Sequence, residues 1–251
     1  MRLLALLALF SLPALATTGG PDSAGFVFTD SAEFDGPGFV WLDATGGTPI
    51  VPGTDNVTEV ALPFAFEFYG VAYESVSVSE NGALFFDNAT GAGTGTCAGS
   101  PTAWSGVAAL WQDLSGGSIH SVTFGTYPYR TFVVSWDEVG DATFGGTASF
   151  QVWLLEGRNE IAVVHADNDF GQPTVDGGAT AVVGVSSGPT GLNWSCSTAF
   201  TDQQAIWFGP ETGRPARRDV YEDELPEGIS GASAFTYVGR SLLATDVNAD
   251  G

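Results

Sequence analysis

The sequence predicts an all-β protein built as an antiparallel β-sandwich, and three observations carry that prediction. Apolar residues recur at every second position: Phe64, Phe66 and Phe68 alternate with Ala65, Glu67 and Tyr69, the period of a half-buried strand. The 34 glycines and 13 prolines supply turn residues between the apolar segments, and roughly ten short strands punctuated in this way fit two packed sheets. No stretch combines helical apolar spacing with capping residues.

The chain opens with Met1 and Arg2, an apolar run over residues 3–12, Pro13, and the small-residue signal Ala14-Leu15-Ala16. This is the pattern of a secretory signal peptide cleaved after Ala16. The run is too short to cross a bilayer, which takes about 20 apolar residues, and no later segment approaches that length. The mature protein is therefore expected outside the cytoplasm, secreted or at the cell surface, with residues 17–209 forming the sandwich.

Strands are expected at residues 39–42, 64–69, 75–79, 83–86, 107–114, 132–136, 149–155, 161–165, 179–186 and 205–208. Asn81-Gly82 predicts a type I′ hairpin turn, because both residues tolerate positive φ. Gly157-Arg158-Asn159 closes a second turn. Residues 210–227 carry Pro210, Pro215 and Pro226 with charges of both signs and no periodicity, and read as a linker. A further unit begins at residue 228.

The formal charge is −22, with 29 acidic residues against seven basic ones, all arginine. Such a chain repels nucleic acid and anionic membrane surfaces, so neither is expected as a partner without a bridging cation. Cys97 and Cys196 are the two cysteines. In an exported chain two such residues pair, so one disulfide is expected, stabilising the fold by about 2 to 4 kcal/mol.

The last six residues place Asp246, Asn248 and Asp250 at alternate positions before Gly251. Oxygen donors spaced in this way, followed by glycine, begin a calcium loop, and the later acidic ligand is missing. The reading expects an incomplete calcium site, and a longer protein in which it would be completed.

The ordered series Gly46-Gly47-Thr48-Pro49-Ile50, Leu62-Pro63-Phe64-Ala65-Phe66-Glu67-Phe68-Tyr69-Gly70 and Val78-Ser79-Glu80-Asn81-Gly82-Ala83-Leu84-Phe85-Phe86 resembles the opening of nidogen-like extracellular domains and their secreted bacterial relatives. Ala109-Leu110-Trp111-Gln112-Asp113-Leu114, Phe132-Val133-Val134-Ser135-Trp136 and Ser149-Phe150-Gln151-Val152-Trp153-Leu154 continue it in the same order. The resemblance covers roughly residues 39–208 and implies a non-enzymatic module of matrix, adhesion or large secreted proteins. Residues 239–251 resemble the start of an FG-GAP repeat, the blade unit of integrin-alpha-type propellers. That resemblance implies a short β-propeller-type fragment over 228–251, with Asp246, Asn248 and Asp250 as weak calcium ligands, since blades are stable only when stacked.

Catalytic patterns are poor by comparison. Gly184-Val185-Ser186-Ser187-Gly188 matches a nucleophile elbow, but Pro189 follows where that elbow must open a helix. His120 and His165 have no metal-ligand spacing, and Asp167-Asn168-Asp169 reads as a solvated turn. Asp137 with Glu138, or Asp113, supplies carboxylates without the defined separation that glycosidase chemistry needs. Trp104 and Trp194, in loops near the cysteines, are candidates for stacking on a ligand. The sequons at Asn56, Asn88 and Asn193 decide nothing.

The sequence therefore points to an exported, non-enzymatic recognition or adhesion module for an extracellular protein or polysaccharide, with calcium as cofactor of its tail. The alternatives are a polysaccharide-binding accessory domain of a larger secreted hydrolase and a structural matrix component.

Overall fold

A computed structural model describes residues 18–34, 36–87, 95–99 and 104–211. The expected signal peptide, most of the linker and the acidic tail with Asp246, Asn248 and Asp250 lie outside the described residues. Fifteen strands follow in chain order. The first eight are β1 (Thr18–Gly19), β2 (Phe26–Asp30), β3 (Thr48–Ile50), β4 (Val57–Phe68), β5 (Val71–Ser79), β6 (Ala83–Phe85), β7 (Ser105–Trp111) and β8 (Leu114–Ser115). The rest are β9 (Ser118–Phe124), β10 (Thr131–Asp141), β11 (Gly145–Leu155), β12 (Glu160–Asp167), β13 (Val182–Ser187), β14 (Thr190–Cys196) and β15 (Gln204–Pro210). No α-helix occurs among the described residues, and none of their helices is long and apolar enough to cross a membrane.

The strands form two antiparallel sheets. The larger runs β1-β2-β15-β12-β11-β10-β9-β3, with β8 also paired to β10, and the smaller runs β14-β13-β7-β6-β5-β4. Alternation in sequence becomes burial in space: Phe64, Phe66 and Phe68 of β4 are buried while Ala65 and Glu67 are exposed. These phenylalanines meet Phe132, Val134 and Trp136 of β10 and Phe150, Val152 and Leu154 of β11 in one inter-sheet core. Each such side chain taken from water contributes about 1.5 to 3 kcal/mol, so a one-residue register slip in β10 would be prohibitive.

Each sheet is also covered on its outer face. Over the larger sheet, residues 39–42 pack on Val133, Trp153, Val164 and Trp207. Over the smaller sheet, Ala98 and Trp104 pack on Phe85, Trp111 and Val182. A side-chain amide pins each covering segment by pairing with its backbone. Gln151 donates to the Leu42 carbonyl at 2.6 Å and accepts from the Leu42 N–H at 3.4 Å. Asn193 donates to the Ala98 carbonyl at 3.2 Å and accepts from the Ala98 N–H at 2.7 Å. One side chain thus does for an isolated segment what a neighbouring strand does in a ladder.

Several expectations are corrected. Residues 39–42 are not a strand but one of these covering segments, because Gln151 rather than a sheet edge satisfies Leu42. The Asn81-Gly82 turn is a hairpin but not type I′: only Gly82 takes positive φ, at 77°. Asn81 is instead fully buried and works as a bridge, donating to Asp55 at 3.1 Å and accepting from the Leu114 N–H at 2.8 Å. The strand expected over 107–114 breaks between Trp111 and Leu114, and the one expected over 179–186 begins only at Val182, after a 3-10 turn at Asp176–Gly178. Strands β1, β2, β3, β9 and β14 are additional to those expected, since short or polar-rich segments such as Thr190–Cys196 carry no clear alternation.

Candidate functional site

Cys97 and Cys196 are joined in a disulfide with Cα atoms 5.8 Å apart, tying the segment over the smaller sheet to the end of β14. Trp104 and Trp194 are not ligand platforms. Both are buried, at 6% and 4% exposure. The Trp104 indole N–H donates to the Thr96 carbonyl at 3.0 Å and its ring meets Trp111 edge to face. The Trp194 indole donates to Asp30 at 2.8 Å, and its ring packs on His165 and Phe200. Trp104 lies just before β7 and Trp194 within β14, and each indole hydrogen bond ties its ring into the core.

The remaining sequence candidates are accounted for by position. Ser186 lies in a β13–β14 hairpin, where its hydroxyl donates to the Gly188 and Thr190 carbonyls at 3.2 and 3.3 Å. His165 is fully buried and donates from Nε2 to the Ala109 carbonyl at 2.7 Å. Burial pushes its pKa down to about 4, so the ring is neutral. Asp167 and Asp169 help raise the Asp202 carboxyl, whose shift comes first from burial. Among the described residues no group of three or more acidic, histidine or cysteine side chains is arranged to hold a metal ion.

What the fold does build is a cavity of about 830 Å³ on the outer side of the larger sheet, within the roughly 300 to 1,000 Å³ typical of ligand sites. Phe39 and Trp41, carried by the segment that Gln151 pins, form its aromatic wall. Asp137 and Glu138 come from β10 at the point where its pairing with β11 slips between Trp136 and Val139. Glu138 there takes φ of 52°, and its N–H is caught by the Ser149 hydroxyl at 3.1 Å. A bulge of this kind re-aims side chains that a regular strand would point elsewhere. Asp167 at the end of β12 and Gln203, just before β15, complete the lining.

The electrostatics of the cavity centre on Asp137. Burial raises its pKa, opposed by the Ser135 hydroxyl, which donates to Oδ1 at 2.9 Å, and by His120. His120 Nδ1 stands 3.7 Å from Oδ2, an ion-pair separation rather than a hydrogen bond, and neither atom has a hydrogen-bond partner. Both atoms are shut from solvent and face each other, so Oδ2 is turned to His120 and not to the cavity, whose lining also holds the Glu138 and Asp167 carboxylates. Thr45, Ser118 and Ser149 add neutral hydroxyls, and no arginine lines the space. Such an arrangement can stack on a flat apolar face and accept O–H or N–H donors at its floor.

Sequence reasoning noticed Asp137 and Glu138 as a pair but did not connect them with Phe39 and Trp41. The run 39–42 resembles any short buried strand, and nothing local marks the bulge at 137–138.

Fold and site together define a disulfide-tied, two-sheet β module that carries an acidic, aromatic-walled cavity on one outer face. The chain matches the model of the NIDO-related family over residues 34–217, most of its length, and belongs to that family. The match bears out the nidogen-like resemblance and ends before the acidic tail. No curated protein and no solved structure matches the chain.

Proposed function

We propose that the chain is a non-enzymatic, exported recognition module whose working surface is the cavity between the 39–42 segment and the β10 bulge. The observation that carries this reading is the cavity itself, whose lining brings the half-buried Phe39 and Trp41 together with the carboxylates of Asp137, Glu138 and Asp167. Aromatic rings beside a few polar groups in a concave space are the usual makings of a ligand site. The disulfide and the strongly acidic surface accord with export. Ser186 and His165, which might have supplied chemistry, are engaged by backbone carbonyls away from this space. The tail adds a calcium-binding repeat in which Asp246, Asn248 and Asp250 are weak ligands, on the strength of their spacing and of the FG-GAP resemblance. Calcium would order that repeat and present the module for adhesion.

Equilibrium binding of the whole chain to immobilised polysaccharides and basic peptides, followed by mass spectrometry of the recovered ligand, tests the reading. It expects at least one ligand bound in a manner that Trp41→Ala weakens, and recovered intact. Cleavage of the ligand, or binding indifferent to Trp41→Ala across the panel, contradicts it. Calcium titration calorimetry tests the tail: the reading expects Asp246→Ala to abolish weak binding, and no calcium heat at all would overturn it.

A further inference from the structure

We infer that the cavity binds an uncharged oligosaccharide, a short stretch of a neutral polysaccharide. The inference rests on the recognition reading above and names its ligand class. Four observations converge on it.

The wall is aromatic: Phe39 and Trp41 are half-buried, each anchored in the outer cluster on one side and lining the cavity on the other. Flat rings held in this way offer a face to the C–H surface of a sugar ring at little conformational cost. The lining is rich in acceptors: it holds the carboxylates of Asp137, Glu138 and Asp167, with Glu138 presented on the bulge. Sugar hydroxyls are donors of the right kind, and a hydrogen bond to an ionised carboxylate is among the stronger neutral-to-charged contacts.

The other polar groups, Thr45, Ser118, Ser149 and Gln203, both donate and accept, which suits hydroxyls that do the same. Finally, the charge is one-sided. With Asp137, Glu138 and Asp167 present and no arginine lining the space, a sulfated, phosphorylated or uronic-acid chain is repelled. The volume of about 830 Å³ and the open form of a groove beneath an outer segment admit several linked units rather than one small cation.

A basic side chain would also suit these carboxylates, and the experiment separates the two. Isothermal titration is run on the full chain at neutral pH with neutral hexaoses of cello-, xylo-, manno-, laminari- and malto- type, with a hexa-arginine peptide, and with a uronic-acid hexaose. The inference expects at least one neutral hexaose to bind and the uronic-acid chain not to bind. Trp41→Ala and Glu138→Gln should each weaken that binding about tenfold or more. Because Glu138 is exposed, Glu138→Gln leaves the melting temperature close to that of the wild type, so lost affinity reads as lost contact rather than lost fold. Binding of hexa-arginine alone, weakened by the same substitutions, overturns the sugar assignment and leaves the recognition reading intact. Absence of binding by every probe overturns the sugar assignment, and ligand binding insensitive to both substitutions overturns the cavity as the site.

Discussion

Replacing Gln151 with leucine should release the wall of the cavity without disturbing the sandwich core. Gln151 is fully buried, and its amide uses every donor and acceptor it has. It donates to the Leu42 carbonyl at 2.6 Å and to the Ser135 hydroxyl at 3.2 Å. It accepts from the Trp153 indole at 2.8 Å and, weakly, from the Leu42 N–H at 3.4 Å. Leucine keeps the volume and removes all four bonds. Two strong partners, the Leu42 carbonyl and the Trp153 N–H, are then buried without a bond, each costing about 1 to 3 kcal/mol.

The combined loss should be about 3 kcal/mol, held below the simple sum because the 39–42 segment can lift away and let water satisfy Leu42. Against a total stability of about 5 to 15 kcal/mol the protein stays folded. Urea unfolding measures the loss, and amide exchange locates it: exchange should quicken across residues 39–44 while β10 and β11 remain protected. A change below about 0.5 kcal/mol, with the 39–44 amides as slow as before, would refute the claim that a side-chain amide anchors this segment.

Other substitutions test other links. His165 has its pKa depressed by burial to about 4, against 6.5 in an unfolded chain, so the unfolded state takes up the proton first as pH falls. Its contribution is full above pH 6.5 and is lost towards pH 4, amounting to roughly 2 to 3 kcal/mol by pH 4.5. The carboxyls of Asp30, Glu80, Asp113, Asp137 and Asp202 are raised and act with the opposite sign, strengthening the fold on acidification. Urea melts at pH 7 and 4.5 on wild type and His165→Leu isolate the histidine: the variant should lose less stability on acidification, and equal losses would contradict its burial as a neutral ring. Gly82→Ala should cost about 3 kcal/mol, because φ is 77° and an added Cβ would stand 2.5 Å from the Leu110 carbonyl oxygen; a thermal melt within a degree of wild type would contradict that geometry. Cys97→Ala with Cys196→Ala should lower stability by about 2 to 5 kcal/mol and expose Trp104, seen as a red-shifted emission, since the bridge closes a separation of 99 residues. An unchanged emission spectrum and melt would show that Trp104 is held without it.

Much of the sandwich could be read locally. The alternation at 64–68 survives in space because a strand with one face in the core needs nothing beyond its own period, whereas 132–136 is a strand buried on both faces, Phe132, Val134 and Trp136 between the sheets and Val133 under the 39–42 segment. The Cys97–Cys196 bridge was legible for a different reason, namely that the expectation of export favours oxidised cysteines and two cysteines allow one pairing. What could not be read is what depends on distant partners. Residues 39–42 have the composition of a strand, and their fate is decided by Gln151, 109 residues away. Asn81 carries a turn signal, yet its side chain is spent on Asp55 and Leu114. Trp104 and Trp194 sit in loops by sequence and in the core by structure, because Thr96 and Asp30 take their indole hydrogens. The candidate cavity was half legible: Asp137 and Glu138 stood out as a pair, but the bulge that presents them and the aromatic wall above them arise only when the larger sheet is assembled.

The central claim is that recognition takes place in the cavity under the 39–42 segment. Amide exchange of the whole chain, with and without whichever hexaose or peptide binds most tightly, tests it most directly. The account predicts protection around residues 39–45, 117–118, 137–138 and 203 on ligand addition. Protection confined instead to another surface, such as the exposed Tyr127 and Tyr129 at the tip between β9 and β10, would contradict it.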